Sequence, residues 1–294
     1  PWQFIAYAVV GCFALSMHQS TMPMLSVSIF GESAAGKRYA FYRIFGSMGW
    51  VVATLAVPQF IDDPRSLILI GAAASSVSFI PLLAFRHPRV PHHEYVSVRR
   101  LLRNRPLVWF ITAVFFYALA IPALFRFIQV YAEQLGAPND FIGVMMSING
   151  IVAIIGMPMM GVLIDRIGPR PLILLALVAQ VARLYAFSLI TAYPWLMGPQ
   201  LLHVLTWAGW EVAGMIYVRR ITQPGNRASA IAMFLGAQTL GIFLGGFLTG
   251  AMADHLGYPM MFRIIATLVA GGPVVFVLGL RSERRRGLAG AAAE

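Results

Sequence analysis

Charged residues and cysteine are both scarce in this sequence. Asp, Glu, Lys and Arg make up 11% of the 294 residues, whereas 59% are hydrophobic, and the mean hydropathy is +0.75. A soluble globular domain is about one quarter charged, so this chain has too much apolar surface for a single water-soluble core. The one cysteine, Cys12, excludes an intrachain disulfide framework and a cysteine-based metal site.

The apolar residues occur in nine continuous runs separated by short connections rich in Gly, Pro, Asn and Asp. Each run is about 20 residues long, which is the length that a helix needs to cross a bilayer. The strands of a β-barrel would instead alternate apolar and polar residues. We therefore predict an all-α, polytopic transmembrane helical bundle, with spans near residues 2–30, 39–61, 66–85, 107–132, 140–164, 171–191, 195–218, 227–252 and 259–280.

One connection, residues 86–106, is longer than the others, basic and interrupted by proline. It separates three segments in residues 1–85 from six segments in residues 107–294. If the connections alternate across the membrane, seventeen of the 22 Lys and Arg residues lie on the side of this loop and two lie on the opposite side. The positive-inside rule then places the central loop and the C-terminus in the cytoplasm. Basic loops beside anionic headgroups also explain the net charge of +11 without nucleic acid.

A basic loop after the fifth predicted segment carries a recognisable pattern. It reads Gly161-Val-Leu-Ile-Asp165-Arg166-Ile-Gly168-Pro-Arg170 and resembles the G-x-x-x-D-R-x-G-x-R loop of the major facilitator superfamily. The resemblance implies a structural and conformational role, in which the arginines pair with groups that separate when the transporter changes state. A fold of two six-helix halves would show three plus six segments if three helices preceded Pro1, so we expect the chain to cover helices four to twelve of twelve.

The second predicted segment carries Arg43 and Trp50 seven residues apart, on nearly the same helix face. The stretch Tyr39–Trp50 resembles the fifth helix of the lactose-permease-like and phenylpropionate-permease-like branch of that superfamily. The resemblance implies that Arg43 and Trp50 bind substrate, since a guanidinium can hold a carboxylate or hydroxyls and an indole can stack on an apolar or sugar face. The alternative is that Arg43 snorkels to the interface and Trp50 packs.

Three ionisable residues lie deep in the sixth and seventh segments, where charges are costly and usually functional. Arg183 and His203 match an arginine and a histidine of the proton-coupling network in the lactose permease. The acid that follows there three residues after the histidine is Thr206 here. We therefore predict that Glu211 and His203 handle the proton, about 80° apart on one helix. The alternative for Glu211 is a salt bridge with a neighbouring arginine.

The substrate is predicted from charge. The galactoside-binding acids of the lactose permease fall at Asn149 and near residues 25–26, where this sequence has none. Arg43 and either Arg126 or Arg183 are the candidates for binding the substrate. Arg126 follows an expected kink at Pro122, and its alternative is to point out to the periplasmic interface. An unbalanced positive cavity favours an anion, so the resemblance and the charges predict proton-coupled symport of a small carboxylate by alternating access.

The alternatives are a neutral sugar or nucleoside symporter, a drug exporter, and a membrane sensor that binds without flux. Enzymes of the bilayer normally show a catalytic constellation, and none is visible, so we expect no enzyme activity, cofactor or metal. The expected partners are a small substrate, a proton and the lipid bilayer, with no nucleic acid. We expect a monomer that is multi-pass in a cell membrane, namely a bacterial inner membrane.

Overall fold

The computed structural model describes residues 35–60 and 98–291, together with the single positions 69, 71, 73 and 77. The predicted segments 2–30 and 66–85 and most of the central loop lie outside these ranges. Every regular element in the described ranges is helical, so the all-α prediction is confirmed for them. The first long helix, α1, runs Ala35–Phe60 and covers the predicted segment 39–61. A short helix, Val98–Leu101, follows.

Six helical spans in the described residues are long and apolar enough to cross a membrane. They coincide with the six segments that the sequence predicts after the central loop, because continuous apolar runs of this length leave no other way to satisfy the backbone in lipid. We call them the first to sixth spans, and they run Arg105–Gln134, Asn139–Ile167, Pro169–Ser188, Tyr193–Ile221, Arg227–Leu256 and Tyr258–Glu283.

The first span is not a continuous α-helix. It consists of an α-helix Arg105–Ala118, a π-helical segment Ala123–Phe127 and an α-helix Ile128–Gln134. Pro122 lies at the junction, and its missing N–H removes one rung of the hydrogen-bond ladder. The α-helix is therefore interrupted at the position where the sequence predicts a kink. π-helical turns are rare and are often found at functional sites.

The fourth span is interrupted in the same way. It combines a 3-10 turn Tyr193–Leu196, a short α-helix Met197–Gln200, a π-helical segment Val204–Gly209 and an α-helix Trp210–Ile221. The π-helical segment separates His203 from Glu211. The angle of about 80° that we assigned to this pair assumed a regular α-helix, so that estimate is wrong.

The other elements are regular helices joined by tight connections. The second, third and fifth spans are single α-helices, Asn139–Ile167, Pro169–Ser188 and Arg227–Leu256. The last two helices are Tyr258–Val269 and Gly271–Ala291, and a 3-10 turn Pro224–Asn226 precedes the fifth span. Gly168 links the second and third spans with φ = 79°, a conformation that favours glycine. Pro169 then begins the next helix, where a missing N–H costs nothing.

The fifth span packs closely against the first through two glycines. A Cβ atom built on Gly245 would lie 2.4 Å from the carbonyl oxygen of Leu119, and one on Gly241 would lie 2.6 Å from that of Phe115. Gly236 and Gly246 have no such neighbour within 4 Å. Of these four glycines, Gly241 and Gly245 therefore make the close contact with the first span.

Helix α1 packs against the second span at another close approach. A Cβ atom built on Gly150 would lie 2.4 Å from Val51 Cγ2 and 3.0 Å from the carbonyl oxygen of Ser47. The absence of a side chain at Gly150 brings the backbones of α1 and the second span together. This approach places Ser47 and Trp50 beside the second span.

Candidate functional site

A cavity of about 350 Å³ lies between α1 and the spans that surround it. Four of its lining residues come from α1, two from the π-interrupted first span, and the others from the second, fourth and fifth spans. The lining combines aromatic rings with neutral polar groups and one cation. The residues are Arg43, Gly46, Ser47, Trp50, Ile121, Phe125, Asn149, Gly150, Ala153, His203, Trp207, Gln238 and Ile242.

The aromatic part of the lining is a connected cluster. Phe125, in the π-helical segment of the first span, makes edge contacts with Trp50 at 6.0 Å and with Trp207 at 5.7 Å between ring centroids. His203 stacks on Trp207 at 5.8 Å. The Trp50 indole Nε1 donates to the carbonyl oxygen of Met146 at 3.0 Å. These contacts hold several ring faces around one space, an arrangement that suits a flat apolar or carbohydrate surface.

Arg183 lies behind this wall, and only 1% of its surface is exposed. Its two terminal nitrogens donate to four neutral acceptors. Nη1 donates to His203 Nδ1 at 3.0 Å and to Thr206 Oγ1 at 3.2 Å. Nη2 donates to Asn149 Oδ1 at 2.9 Å and to Gln200 Oε1. All four terminal N–H groups are therefore used by the protein.

Arg43 forms an ion pair with Glu211, with 3.3 Å between Nη2 and Oε1. The side chains are 29% and 15% exposed, respectively. Arg43 comes from α1 and Glu211 from the fourth span, so the pair joins α1 to the six-span bundle. The alternative that we gave for Glu211, a salt bridge with a neighbouring arginine, describes this arrangement.

The predicted site residues fall into three places. Arg43, Trp50 and His203 line the cavity, Arg183 binds two of its lining residues, and Glu211 binds one. Arg126 is exposed on the first span and is not among the lining residues. The structure thus brings five of the six predicted transport residues to one region and leaves Arg126 outside it.

The Asp165 loop (residues 161–170) lies at the junction of the second and third spans, away from the cavity. Gly161 is buried, whereas Asp165 and Arg166 are exposed. Arg170 Nη2 lies 2.5 Å from Glu283 Oε2 at the end of the sixth span, and the hydroxyl of Tyr217 donates to Glu283 Oε1 at 3.3 Å. The Arg170 pair therefore ties together three spans of the same bundle.

Sequence reasoning missed several residues of the site. Phe125 and Trp207 occur in apolar runs whose aromatic residues have no distinguishing spacing, and the π-helical segment that contains Trp207 has no sequence signature. Gln200 and Thr206 are the only other polar side chains near His203 in the fourth span, which could have marked them. The sequence drew attention to Asn149 only as a position where the lactose permease has an acid and this chain has none.

Comparison with known proteins places this fold and cavity in a family. The model of the MFS_1 like family matches residues 2–264. The chain is 25% identical to the maltose permease of Geobacillus stearothermophilus, over 96% of this chain and 76% of that protein. It is 22% identical to sugar efflux transporter A of Escherichia coli, over 90% of this chain and 70% of that protein.

Two solved transporters share the fold. The fucose:proton symporter FucP of E. coli superimposes with a TM-score of 0.65 at 17% identity, over 87% of this chain and 72% of that one. The nucleoside transporter NupG superimposes with a TM-score of 0.65 at 18% identity, over 83% and 67%. The chain therefore belongs to the MFS_1 like family, and it is a multi-pass membrane transporter with the major facilitator fold.

Proposed function

We propose that the protein carries a neutral, polyhydroxylated solute of the sugar or nucleoside class by alternating access, coupled to a proton. The observation that carries this proposal is the lining of the cavity. Among the described residues, it consists of apolar and aromatic side chains, uncharged hydrogen-bonding groups and one cation, Arg43, which is in an ion pair. Aromatic faces cover the C–H surface of a sugar, while amide, hydroxyl and imidazole groups bind its oxygens.

The arginines from which the sequence predicts a carboxylate substrate either have partners in the protein or lie outside the cavity lining. Arg43 faces Glu211, Arg126 is outside the lining, and the terminal N–H groups of Arg183 are satisfied by neutral side chains. A buried anion needs an unsatisfied charged partner to offset its desolvation. The described cavity thus favours a neutral ligand over an anionic one.

The names of the relatives agree with this chemistry. The maltose permease, the sugar efflux transporter, the fucose:proton symporter and the nucleoside transporter are named for neutral, hydroxylated solutes. At this degree of sequence identity, the names of those proteins support a class of substrate for this chain but not a particular compound. The direction of transport differs between a permease and an efflux protein, and we propose uptake.

The coupling is proposed to act through the Arg43–Glu211 pair. We assign α1 to the N-terminal half and the six spans to the C-terminal half, so that the pair crosses the interface that must open on one side of the membrane. A proton on Glu211 cancels the charge that holds Arg43. Glu211 suits this role better than His203, because Arg183 donates to His203 Nδ1 and keeps that nitrogen unprotonated.

A carboxylate symporter is the second candidate, and the position of Arg43 favours it. Arg43 lines the cavity while it pairs with Glu211. A substrate carboxylate could take the place of the Glu211 carboxylate and leave Glu211 to accept the proton. The two candidates differ in which solutes accumulate, and a transport assay separates them.

The test is uptake by the full chain in proteoliposomes with an inward proton gradient. The probes are radiolabelled maltose, L-fucose, uridine and benzoate. We expect protonophore-sensitive accumulation of at least one of the three neutral probes, and no more benzoate than protein-free liposomes accumulate under the same gradient. Accumulation of benzoate alone, above that in protein-free liposomes, would overturn the neutral class in favour of the carboxylate, and protonophore-sensitive accumulation of the solute inside inverted vesicles would reverse the proposed direction.

A further inference from the structure

We propose that Arg183 is a positioning residue that makes the cavity wall formed by Asn149 and His203 a hydrogen-bond donor surface, which selects a solute that presents acceptor oxygens. The inference rests on the proposed function, because it assigns which atoms of a neutral solute that wall can bind. It also changes the role that the sequence predicts for Arg183, which was direct contact with a carboxylate.

The first step concerns the amide of Asn149. Arginine has five N–H donors and no acceptor, so the atom of the amide that faces Arg183 has to be the oxygen. The 2.9 Å contact between Arg183 Nη2 and Asn149 Oδ1 therefore fixes the orientation of this amide. Its NH2 group is left to face other partners.

The second step concerns what the amide nitrogen binds. Asn149 is 1% exposed and lines the cavity, yet its Nδ2 has no hydrogen-bond partner among the described residues. A buried N–H group without a partner is unfavourable, because it has lost its hydrogen bonds to water. An acceptor oxygen of a bound solute would satisfy it.

The third step concerns the tautomer of His203. Nδ1 lies 3.0 Å from Arg183 Nη1 and has to accept, so the ring is neutral and its hydrogen is on Nε2. His203 also lines the cavity. The Nε2–H group is thus a second donor on the same wall.

The same hydrogen bonds occupy Arg183, so it does not bind the solute directly. Its terminal N–H groups bind His203, Thr206, Asn149 and Gln200, and Arg183 is not among the described residues that line the cavity, whereas Asn149 is. Arg183 acts on the solute through the orientation of its neighbours. Since a site built from fixed donors rejects an analogue that lacks the matching acceptor, this orientation determines specificity.

Analogue competition in proteoliposomes tests the donor wall. Uptake of radiolabelled maltose is inhibited with glucose analogues in which one hydroxyl is replaced by hydrogen or by fluorine. Fluorine can accept a hydrogen bond but cannot donate one. In the unmodified protein we expect one ring position at which the fluoro analogue competes at least about tenfold better than the deoxy analogue.

The substitution N149D supplies the decisive comparison. Aspartate keeps the oxygen that Arg183 binds but has no hydrogen for the solute, so the advantage of the fluoro analogue should disappear at that ring position. N139D is the matched control, because Asn139 is exposed at the start of the same span and is not among the lining residues, and the advantage should persist. A parallel loss of affinity for all analogues in N149D would contradict the proposal and indicate a purely structural role.

A second measurement does not depend on the solute. Nitrogen NMR of protein labelled with 15N-histidine, assigned with H203Q, should show His203 as a single neutral tautomer with hydrogen on Nε2. R183Q should lose this single tautomer, and R183K serves as the charge-conserving variant if R183Q does not fold. A hydrogen on Nδ1 in the unmodified protein would overturn the proposal. If no probe of the panel is transported, the proposed function fails while this measurement still decides the role of Arg183.

Discussion

The substitution E211Q is expected to abolish proton-driven accumulation while substrate exchange across the membrane continues. Glutamine has the shape of a protonated glutamate but cannot bind or release a proton. The proton gradient therefore can no longer change the charge at this position. In the structure Glu211 is 3.3 Å from Arg43, with 15% of its side chain exposed. We expect accumulation to fall by at least about tenfold, as the removal of an ionisable group from a proton pathway implies. The measurement compares gradient-driven uptake with counterflow of the same solute.

The partner variants separate coupling from folding. R43Q leaves the Glu211 carboxylate without the cation seen here, and the loss of one partner of a buried pair is usually more destabilising than the loss of both. We therefore expect R43Q to lower the melting temperature in detergent more than the double variant R43Q/E211Q does. Full accumulation by E211Q would contradict the coupling role, and additive destabilisation would show that the two side chains do not interact.

The substitution G245A is expected to destabilise the packing of the fifth span against the first. The new Cβ would lie 2.4 Å from the carbonyl oxygen and 2.9 Å from the Cα of Leu119. These are backbone atoms, which cannot move aside as the end of a flexible side chain can. Overpacking of this kind costs about 1–3 kcal/mol, and the measurement is the thermal unfolding midpoint of the purified protein.

The adjacent residue is the matched control for this prediction. A Cβ atom added to Gly246 would have no neighbouring atom within 4 Å, and alanine is a better helix former than glycine by about 1 kcal/mol. We expect G246A to unfold at the same temperature as the unmodified protein or slightly above it. Equal destabilisation by G245A and G246A would show that backbone flexibility, and not contact with Leu119, is what the fifth span needs.

The spans could be predicted from the sequence because lipid imposes a simple requirement. Any polypeptide that crosses a bilayer has to satisfy its own backbone, so each apolar run of sufficient length becomes a helix. The six runs after residue 106 follow this requirement, as does the interruption at Pro122. The π-helical segment Val204–Gly209, just before Glu211, could not be predicted in this way. It contains no proline and no other residue that would force a π-helical turn.

The sequence indicates which residues belong to the site, but it does not indicate what each of them does. Deep charges are rare enough in apolar segments to draw attention to Arg183, His203 and Glu211. Their roles depend on which partners the packing supplies, and these come from residues distant in sequence, such as Asn149 for Arg183 and Arg43 for Glu211. The sequence therefore predicted an excess of positive charge where the described cavity has one paired cation.

The central claim is that the cavity beside α1 binds the solute, and cysteine protection tests it most directly. In a C12S background, G46C introduces a thiol at the cavity lining and G49C introduces one on the same helix outside the lining; neither position has an atom within 4 Å of a new Cβ. The rate of alkylation by N-ethylmaleimide is measured with and without maltose, L-fucose, uridine or benzoate. We predict that a transported neutral solute slows the reaction of G46C and leaves that of G49C unchanged. Equal rates for G46C with and without a solute that is transported would contradict the claim.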